Sequence, residues 1–275
     1  MPEWVEILQA AQIGMGWTDE RLAEDSRTPL RKLRELKAGF LDPAALRGVA
    51  RALRLGAEAL LAMAQAGEGG GSFPMPRNLR SVENESGRGY LLWDSASRLA
   101  SLIDIGADCP EAVRLLESEY LVPRYLFFTE PDRPPEPGWI RFLEERGSLP
   151  IRPETGEENG AFPLGTLQVE RRCVADRPGA GRSLYLVRGM DVPVAFIGRS
   201  LLPPGTEAGE GDPRRYERWL EEVRSHIFTL SDETLLCPSG GPITSVGFEK
   251  AHNPFFPEFE HFSPFANLTE ETRNP

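Results

Sequence analysis

Cysteine and histidine are scarce in this chain of 275 residues, which has three of each. The cysteines, Cys109, Cys173 and Cys237, are far apart and odd in number, which argues against a disulfide framework and a CxxC metal site. No apolar run approaches the roughly 18 to 20 residues that a membrane span requires. The N-terminus carries acids where a signal peptide would carry lysines. We therefore expect a cytoplasmic protein with reduced thiols and no membrane partner.

What the chain does contain is the composition of an ordinary folded protein. Apolar residues make up 40% and charged residues 27%, enough for one sizeable core and a smaller domain. The formal net charge of −11 disfavours nonspecific binding to polyanions, although an uneven charge distribution can reverse that locally. The placement of the charges is therefore more informative than their sum.

The clearest break in composition is the Gly, Ser and Pro run from Gly67 to Pro76, which is typical of a linker. Before it, apolar residues recur at helical spacing; after it, short β-like runs alternate with helical ones. These patterns predict an all-α domain over 1–66, a linker over 67–77, an α/β domain over 78–262 and a polar tail over 263–275.

Helical spacing and capping residues predict five short helices in the first domain. They span Trp4–Ile13, Asp19–Glu24, Pro29–Lys37, Pro43–Leu53 and Glu58–Met63.

The apolar positions of this domain follow a known order. They are Leu22, Ala23, Leu33, Leu36, Leu46, the run 49–53, Leu60 and Leu61, with Gly39 and Pro43 between them. In this order the stretch resembles the helix-turn-helix domain of the phage Cro and lambda-repressor type. The resemblance implies that Ala23 lets the second and third helices approach closely, and that the third helix reads the DNA major groove.

On that interpretation the DNA-binding residues are Arg27, Arg31, Lys32 and Arg34, which can contact phosphates or guanine edges. Between Arg27 and Arg54 there are eight basic and two acidic residues, a local charge of +6. The alternative is a helical interaction or dimerisation module with a solvated basic face. That alternative is favoured by Arg27 and Thr28, which replace the usual turn glycine and the apolar residue after it.

The segment from Phe228 to Phe256 resembles the closing segment of glyoxalase II-like hydrolases of the metallo-β-lactamase fold. The Tyr90–Asp104 hairpin, Gly165–Arg171 and Val194–Leu202 resemble further strands of that fold. The resemblance implies an αββα sandwich. The fold class predicted for the whole chain is therefore a five-helix helix-turn-helix domain followed by an α/β metallo-β-lactamase-like sandwich.

The same resemblance implies where the family's metal ligands should be. They fall on Glu130, Asp132, Pro134, Pro135, Gly179, Arg199 and Gly240. Glycine, proline and arginine side chains do not supply the imidazoles and carboxylates that hold zinc. The histidines, His226, His252 and His261, fall elsewhere. We therefore expect no metal, no other cofactor and no catalysis of the family's reaction.

An arginine at position 199 suggests a fixed replacement for the lost positive charge. Its guanidinium group can pair with Glu130 and Asp132 in the former metal pocket. The alternative, equally compatible with the sequence, is that Arg199 points to solvent and the pocket has collapsed around Pro134 and Pro135.

These observations favour a non-catalytic, homodimeric DNA-binding transcriptional regulator. Its second domain would serve for dimerisation or would sense a small molecule or protein in the vestigial cleft. The alternative is a protein-interaction scaffold, built from the same two domains, that does not bind DNA. A third class, an active hydrolase, predicts stoichiometric zinc or iron in the purified protein.

Overall fold

The computed structural model describes residues 1–66, 73–84, 87–105, 109–130, 137–146, 149–151, 160–174, 182–203 and 211–259. Among the helices in these stretches, none combines the length and the apolar character needed to cross a membrane.

The N-terminal helices lie close to their predicted positions, because the signals that start them are local. Helix α2 follows Thr18, and helix α4 begins at Pro43 after Asp42; both preceding side chains accept hydrogen bonds from main-chain N–H groups of the first turn. The five helices are α1 (Glu3–Gly14), α2 (Asp19–Asp25), α3 (Leu30–Lys37), α4 (Pro43–Ala52) and α5 (Ala57–Ala66).

The first sheet contains five strands in the order β1-β2-β3-β4-β5. They are β1 (Leu79–Asn84), β2 (Gly87–Trp93), β3 (Leu99–Ile103), β4 (Val122–Phe127) and β5 (Leu149–Ile151). Strands β1 to β3 pair antiparallel, whereas β3, β4 and β5 are parallel. Parallel neighbours need crossover connections, and helices α6 (Pro110–Ser118) and α7 (Pro137–Glu144) lie in them.

The second sheet contains six strands in the order β11-β10-β9-β8-β7-β6. They are β6 (Gly160–Leu164), β7 (Leu167–Val174), β8 (Arg182–Arg188), β9 (Val194–Gly198), β10 (Leu235–Pro238) and β11 (Thr244–Ser245). Strands β6 to β9 pair antiparallel, and β9 and β10 are parallel. Helix α8 (Pro213–Glu222), with a π-helical turn to Ile227, lies between β9 and β10, and α9 (Val246–His252) follows β11.

The main core lies between the two sheets. Tyr90 of β2 packs on Phe196 of β9 with ring centroids 5.3 Å apart, and Phe127 of β4 packs on Tyr185 of β8 at 4.6 Å. Because side chains alternate along a strand, Leu91 points the other way, into a second cluster that includes residues of α6. The first sheet is therefore buried on both faces, which fixes the positions of its strand ends.

By residue contacts the chain divides into two units. Unit 1 takes its described residues from Met1–Gly71, Leu202–Asp232 and Ser245–Pro275, and unit 2 from Ser72–Leu201 and Glu233–Thr244. Each unit therefore draws on stretches far apart in the sequence. The predicted boundaries remain a prediction, and residues 67–72 and 260–275 lie outside the described part of the chain.

The predicted separate, five-helix helix-turn-helix domain is wrong. Helices occur before, between and after the strands of one α/β fold, and the N-terminal helices pack against helices from the far end of the chain. Gly14 of α1 lies against the Tyr216 ring of α8, where a Cβ atom would come within 2.3 Å of a ring carbon. The N–H of Gly56 donates to the carbonyl of Pro254 at 2.7 Å. Local periodicity predicts each helix but not the partner against which it packs.

Candidate functional site

The strand-end site, in unit 2, is formed by residues at or just beyond the ends of β3, β4, β9 and β10 and at the start of β8. Its members are Asp104, Thr129, Glu130, Arg182, Gly198, Arg199 and Ser239. Main-chain hydrogen bonds connect these segments: Ser183 N–H donates to Thr129 O, and Ser239 N–H donates to Gly198 O, both at 2.9 Å. The site therefore draws on both sheets.

Asp104, at the end of β3, fixes the segment that follows β4. Its carboxylate accepts hydrogen bonds from the N–H of Thr129 at 2.8 Å and from the Thr129 hydroxyl at 2.7 Å. The Asp104 backbone has a φ of +55°, a conformation that few residues other than glycine adopt, although Asp tolerates it better than most. Both oxygens of Asp104 are thus committed to holding Thr129 in place.

Glu130 is the buried carboxylate at the centre of the site. One of its oxygens accepts a hydrogen bond from the main-chain N–H of Arg199 at 3.1 Å. The other lies 3.6 Å from Nε of Arg182, with only 17% of the Arg182 side chain and 10% of the Glu130 side chain exposed. A buried carboxylate needs such partners because the loss of hydration is otherwise unfavourable.

Gly198 makes the approach of these groups possible. A Cβ atom at this position would lie 2.5 Å from Oγ1 of Thr129 and 2.9 Å from Oε1 of Glu130. Its φ of +57° is also in the left-handed region that favours glycine. A side chain at position 198 would therefore require Thr129 or Glu130 to shift and would be strained at this φ.

A second layer of polar groups supports the site from β7 and β8. The buried Arg171 donates through Nε to the hydroxyl of Ser183 at 2.9 Å, and Tyr185 donates its hydroxyl to Phe128 O at 2.9 Å. Burial raises the pKa of Tyr185 well above its usual value, so the phenol stays protonated and remains a donor.

The turn after β10 is held by two residues of β2. Arg88 donates to the carbonyl of Gly241 at 2.6 Å, and Tyr90 donates its hydroxyl to Pro238 O at 2.6 Å. Within the described residues the buried hydroxyl of Ser239, in the same turn, has no hydrogen-bond partner. The turn is thus held through its main-chain carbonyls, and the Ser239 hydroxyl takes no part in holding it.

The described positions do not fit the family's metal centre. Arg199 and Gly240 supply no ligand, and the oxygens of Glu130 are occupied by the N–H of Arg199 and by Arg182. Within the described stretches, no group of three or more His, Cys, Asp or Glu side chains is placed to hold a metal ion. The other implied ligand positions, Asp132, Pro134, Pro135 and Gly179, lie outside those stretches.

The hypothesis that the Arg199 guanidinium group pairs with Glu130 and Asp132 stays a prediction, because Asp132 lies outside the described residues. The main-chain N–H of Arg199 donates to one oxygen of Glu130, and the guanidinium group of Arg182 lies beside the other oxygen. Sequence reasoning missed Arg182, Arg88 and Tyr90. Arg182 comes directly before the β-like run 183–187, and its place at a strand start was the one local signal available.

The residues predicted to bind DNA lie on and before α3, in unit 1. Arg31 pairs with Glu35 at 2.9 Å and Lys32 with Asp42 at 2.5 Å, whereas Arg34 is exposed. Arg27 adopts a φ of +53°, the conformation for which a glycine is usual at this turn. Two of the four cations therefore already have intramolecular partners.

Comparisons with known proteins show the fold. No family model and no curated protein matches the chain. The structure of BLEG-1 B3 metallo-β-lactamase matches 65% of this chain and 99% of its own, at 17% identity with a TM-score of 0.51. A metallo-β-lactamase from Staphylococcus aureus subsp. aureus COL matches 72% of this chain and 67% of its own, at 17% identity with a TM-score of 0.52. The matched part of the chain therefore has the metallo-β-lactamase fold.

These matches correct three predictions. The two solved structures described above are metallo-β-lactamases, which are hydrolases, and this finding overturns the prediction that the chain is not an enzyme. The helix-turn-helix assignment and the function in DNA binding and transcription regulation find no support among them and are withdrawn. The likeness shows the fold, and the activity has to be argued from the strand-end site.

Proposed function

We propose that this chain is an enzyme of the hydrolase type whose strand-end site binds a small anionic substrate. Arg182 and Arg199 supply the guanidinium groups of that site. The observation that carries the proposal is the pairing of Glu130 with the guanidinium of Arg182 and the N–H of Arg199. The metallo-β-lactamase fold supports the reaction class.

The chemistry of arginine supports the substrate class. A guanidinium group is planar, permanently charged and offers several N–H donors, so it suits carboxylate and phosphate oxygens. Arg182 starts β8 and Arg199 directly follows β9, and β8 and β9 are neighbours in the sheet. Because β8 and β9 are antiparallel, both residues lie at the same end of the sheet.

Each residue of the site has a distinct role in this proposal. In the hydrolysis of an ester or amide, the carbonyl oxygen becomes negatively charged as water adds and releases a proton to the solvent, and fixed donors stabilise that charge. Arg182 is the residue that would bind this oxyanion. Glu130 is a positioning residue that holds Arg182, and Asp104 positions Thr129, the residue before Glu130.

Turnover by the purified full-length chain tests the proposal. The substrates are a panel of carboxylate-bearing esters, thioesters and β-lactams. We expect Arg182→Ala to lower kcat/KM on the preferred substrate by about 100-fold, the usual effect of removing one oxyanion donor. The matched control is Arg188→Ala at the other end of β8, whose side chain is 64% exposed and pairs with Glu170. The control should retain full activity.

Two results would contradict the proposal. The first is no turnover of any substrate combined with no rise in Tm on adding acetate, succinate or phosphate. The second is equal activity in Arg182→Ala and Arg188→Ala.

Removal of metal ions gives an independent prediction. Because the described positions do not fit a metal centre, we expect turnover to survive dialysis against a strong chelator. Rates before and after dialysis, and after adding zinc back, provide the measurement. Loss of activity on dialysis with recovery on adding zinc would show that a metal is required.

A further inference from the structure

Ser239, in the turn after β10, carries a buried hydroxyl group that has no hydrogen-bond partner among the described residues. Only 3% of this residue is exposed. A buried donor without an acceptor is unfavourable, so such a group often marks a functional site or the position of a bound water or ion. Ser101 and Thr244 have buried hydroxyls of the same kind, but among these three residues Ser239 alone belongs to the strand-end site.

The carbonyl oxygens of this turn face β2. Tyr90 and Arg88 of β2 donate to three of them, at Pro238, Ser239 and Gly241, with distances of 2.6, 3.0 and 2.6 Å. Because the peptide groups are trans, each N–H points away from the C=O of its own peptide group. The N–H of the peptide group that follows Ser239 therefore points away from β2, and no described main-chain carbonyl accepts a hydrogen bond from it.

The donors that remain in the turn suit an anion. They are the Ser239 hydroxyl and the adjacent N–H of Gly240, while the negative ends of the peptide dipoles face β2. Donors presented together by a turn form concave sites that bind anions. The turn reaches the surface at Gly241, which is exposed. The serine hydroxyl can meet a ligand by rotation about its Cα–Cβ bond, because no described hydrogen bond opposes that rotation.

A single peptide group links this turn to Glu130. The carbonyl of Gly198 accepts a hydrogen bond from the N–H of Ser239 at 2.9 Å. The N–H of the same peptide group, which belongs to Arg199, donates to Glu130 at 3.1 Å. The nitrogen of Ser239 therefore lies within about 9 Å of the Glu130 carboxylate. One small molecule is long enough to contact both the turn and the Arg182 guanidinium beside Glu130.

We propose that the Ser239 hydroxyl and the N–H of Gly240 form an anion subsite, which binds the carboxylate or phosphate group of the substrate. This subsite rests on the proposed hydrolase function, in which Arg182 binds the carbonyl oxygen of the same molecule. Ser239 is then a specificity-determining residue. Because its contact with the anionic group is the same before and during the reaction, its loss affects KM more than kcat.

Anion binding by the full-length chain tests the subsite without any turnover. Acetate, succinate and inorganic phosphate are titrated separately, and the Tm is measured at each concentration. We expect at least one of these anions to raise the Tm of the wild type. Ser239→Ala should need about tenfold more of that anion for the same rise, because a hydrogen bond to a charged group is lost. The anion that gives the larger rise distinguishes a carboxylate from a phosphate ligand.

Ser101→Ala is the matched control for this titration. Ser101 also has a buried hydroxyl without a described partner, but it lies inside β3, opposite Leu92 and Tyr125 of the neighbouring strands. Neither Ser101→Ala nor Ser239→Ala should lower the Tm in the absence of anions, because each removes a buried donor that has no described acceptor. Only Ser239→Ala should weaken anion binding.

Turnover separates the subsite from the enzymatic function. On a substrate with a free carboxylate or phosphate group, we expect Ser239→Ala to raise KM about tenfold with little change in kcat. On the corresponding neutral amide, the variant and the wild type should have the same KM. Turnover that depends on Arg182 but not on Ser239 would overturn the subsite alone. Anion binding that depends on Ser239, without any turnover, would support the subsite and contradict the enzymatic function.

Three further results would overturn the subsite. None of the three anions could raise the Tm of the wild type, or Ser239→Ala could respond to them as the wild type does. Ser239→Ala could also have a lower Tm than the wild type without any anion, which would show that the hydroxyl stabilises the fold instead of binding a ligand.

Discussion

Two Arg–Glu ion pairs of this chain share the same chemistry in opposite environments. Arg182 and Glu130 are 52 positions apart in sequence, lie 3.6 Å apart and have side chains that are only 17% and 10% exposed. Arg31 and Glu35 are one helical turn apart, lie 2.9 Å apart and are 89% and 46% exposed. The shorter pair is the one at the surface.

Distance alone therefore does not set how much an ion pair contributes to the free energy of unfolding. Water screens the Arg31–Glu35 pair, and pairs of this kind on a helix contribute about 0.3–0.5 kcal/mol. Removing one partner of a buried pair leaves an uncompensated charge out of contact with water, which costs about 3–5 kcal/mol when burial is complete. The Arg182–Glu130 pair should therefore be the more sensitive of the two.

The largest expected effect comes from forcing the buried groups apart. In Gly198→Ala, the new methyl group meets Thr129 and Glu130 and the residue keeps an unfavourable φ, so we expect a loss of about 2–4 kcal/mol in the free energy of unfolding. Urea titration measures it. The matched control is Gly241→Ala, with a φ of +87° but no described atom within 4 Å of the added Cβ, for which we expect about 1 kcal/mol. Equal losses in Gly198→Ala and Gly241→Ala would mean that contacts of the added methyl group with Thr129 and Glu130 do not affect stability.

Removing each glutamate in turn tests the comparison directly. Glu130→Ala removes the carboxylate beside the buried Arg182 and the acceptor for the N–H of Arg199. We therefore expect the free energy of unfolding to fall by about 2–4 kcal/mol. Glu35→Ala removes an exposed partner and should cost no more than about 0.5 kcal/mol. Chemical denaturation in low salt and in 1 M salt distinguishes the two losses of unfolding free energy, because salt strongly screens only the exposed pair. Similar losses in the two variants would contradict the argument from burial.

Asp94 is a third buried acidic group, and its partners are neutral hydroxyl and N–H groups instead of an arginine. Burial acts to raise the pKa of Asp94, but hydrogen bonds from Ser97 and Thr166 outweigh it and lower the pKa to about 2. Because this folded-state pKa lies below the unfolded value, the stabilisation is complete above about pH 4 and is lost as the pH falls towards 2. The shift corresponds to about 2 kcal/mol.

The measurement for Asp94 is the free energy of unfolding between pH 2 and pH 6. Asp94→Asn should be less stable than the wild type near pH 6, and the difference should shrink as the pH falls. An unchanged difference across this range would show that ionisation of Asp94 does not stabilise the fold.

The elements whose signals are local were predictable. Helices α2 and α4 begin where Thr18 and Asp42 cap them, and the Tyr90–Asp104 hairpin and the strand at Val194 are where the sequence indicates them. The association of α1 with α8 was not predictable. It depends on Gly14 meeting the ring of Tyr216 about 200 residues later, and no pattern within either helix specifies that contact.

The strand-end site was predictable only in part. Resemblance pointed to Glu130, Arg199 and Gly240, and the structure brings Glu130 and Arg199 into contact. The resemblance did not point to Arg182, and its position at the start of a β-like run was the one local signal for it. Which arginine faces Glu130 depends on how β8 lies beside β9 and on the approach of both to the end of β4.

Residues close together in the chain specify the helices, most of the strands and the basic character of α3, so the sequence alone is enough to predict these features. Tertiary packing sets which helices associate, that the guanidinium group of Arg182 lies beside Glu130, and how much water reaches each ion pair. Those properties depend on burial and on contacts between distant segments, and both arise only when the sheets and helices have packed.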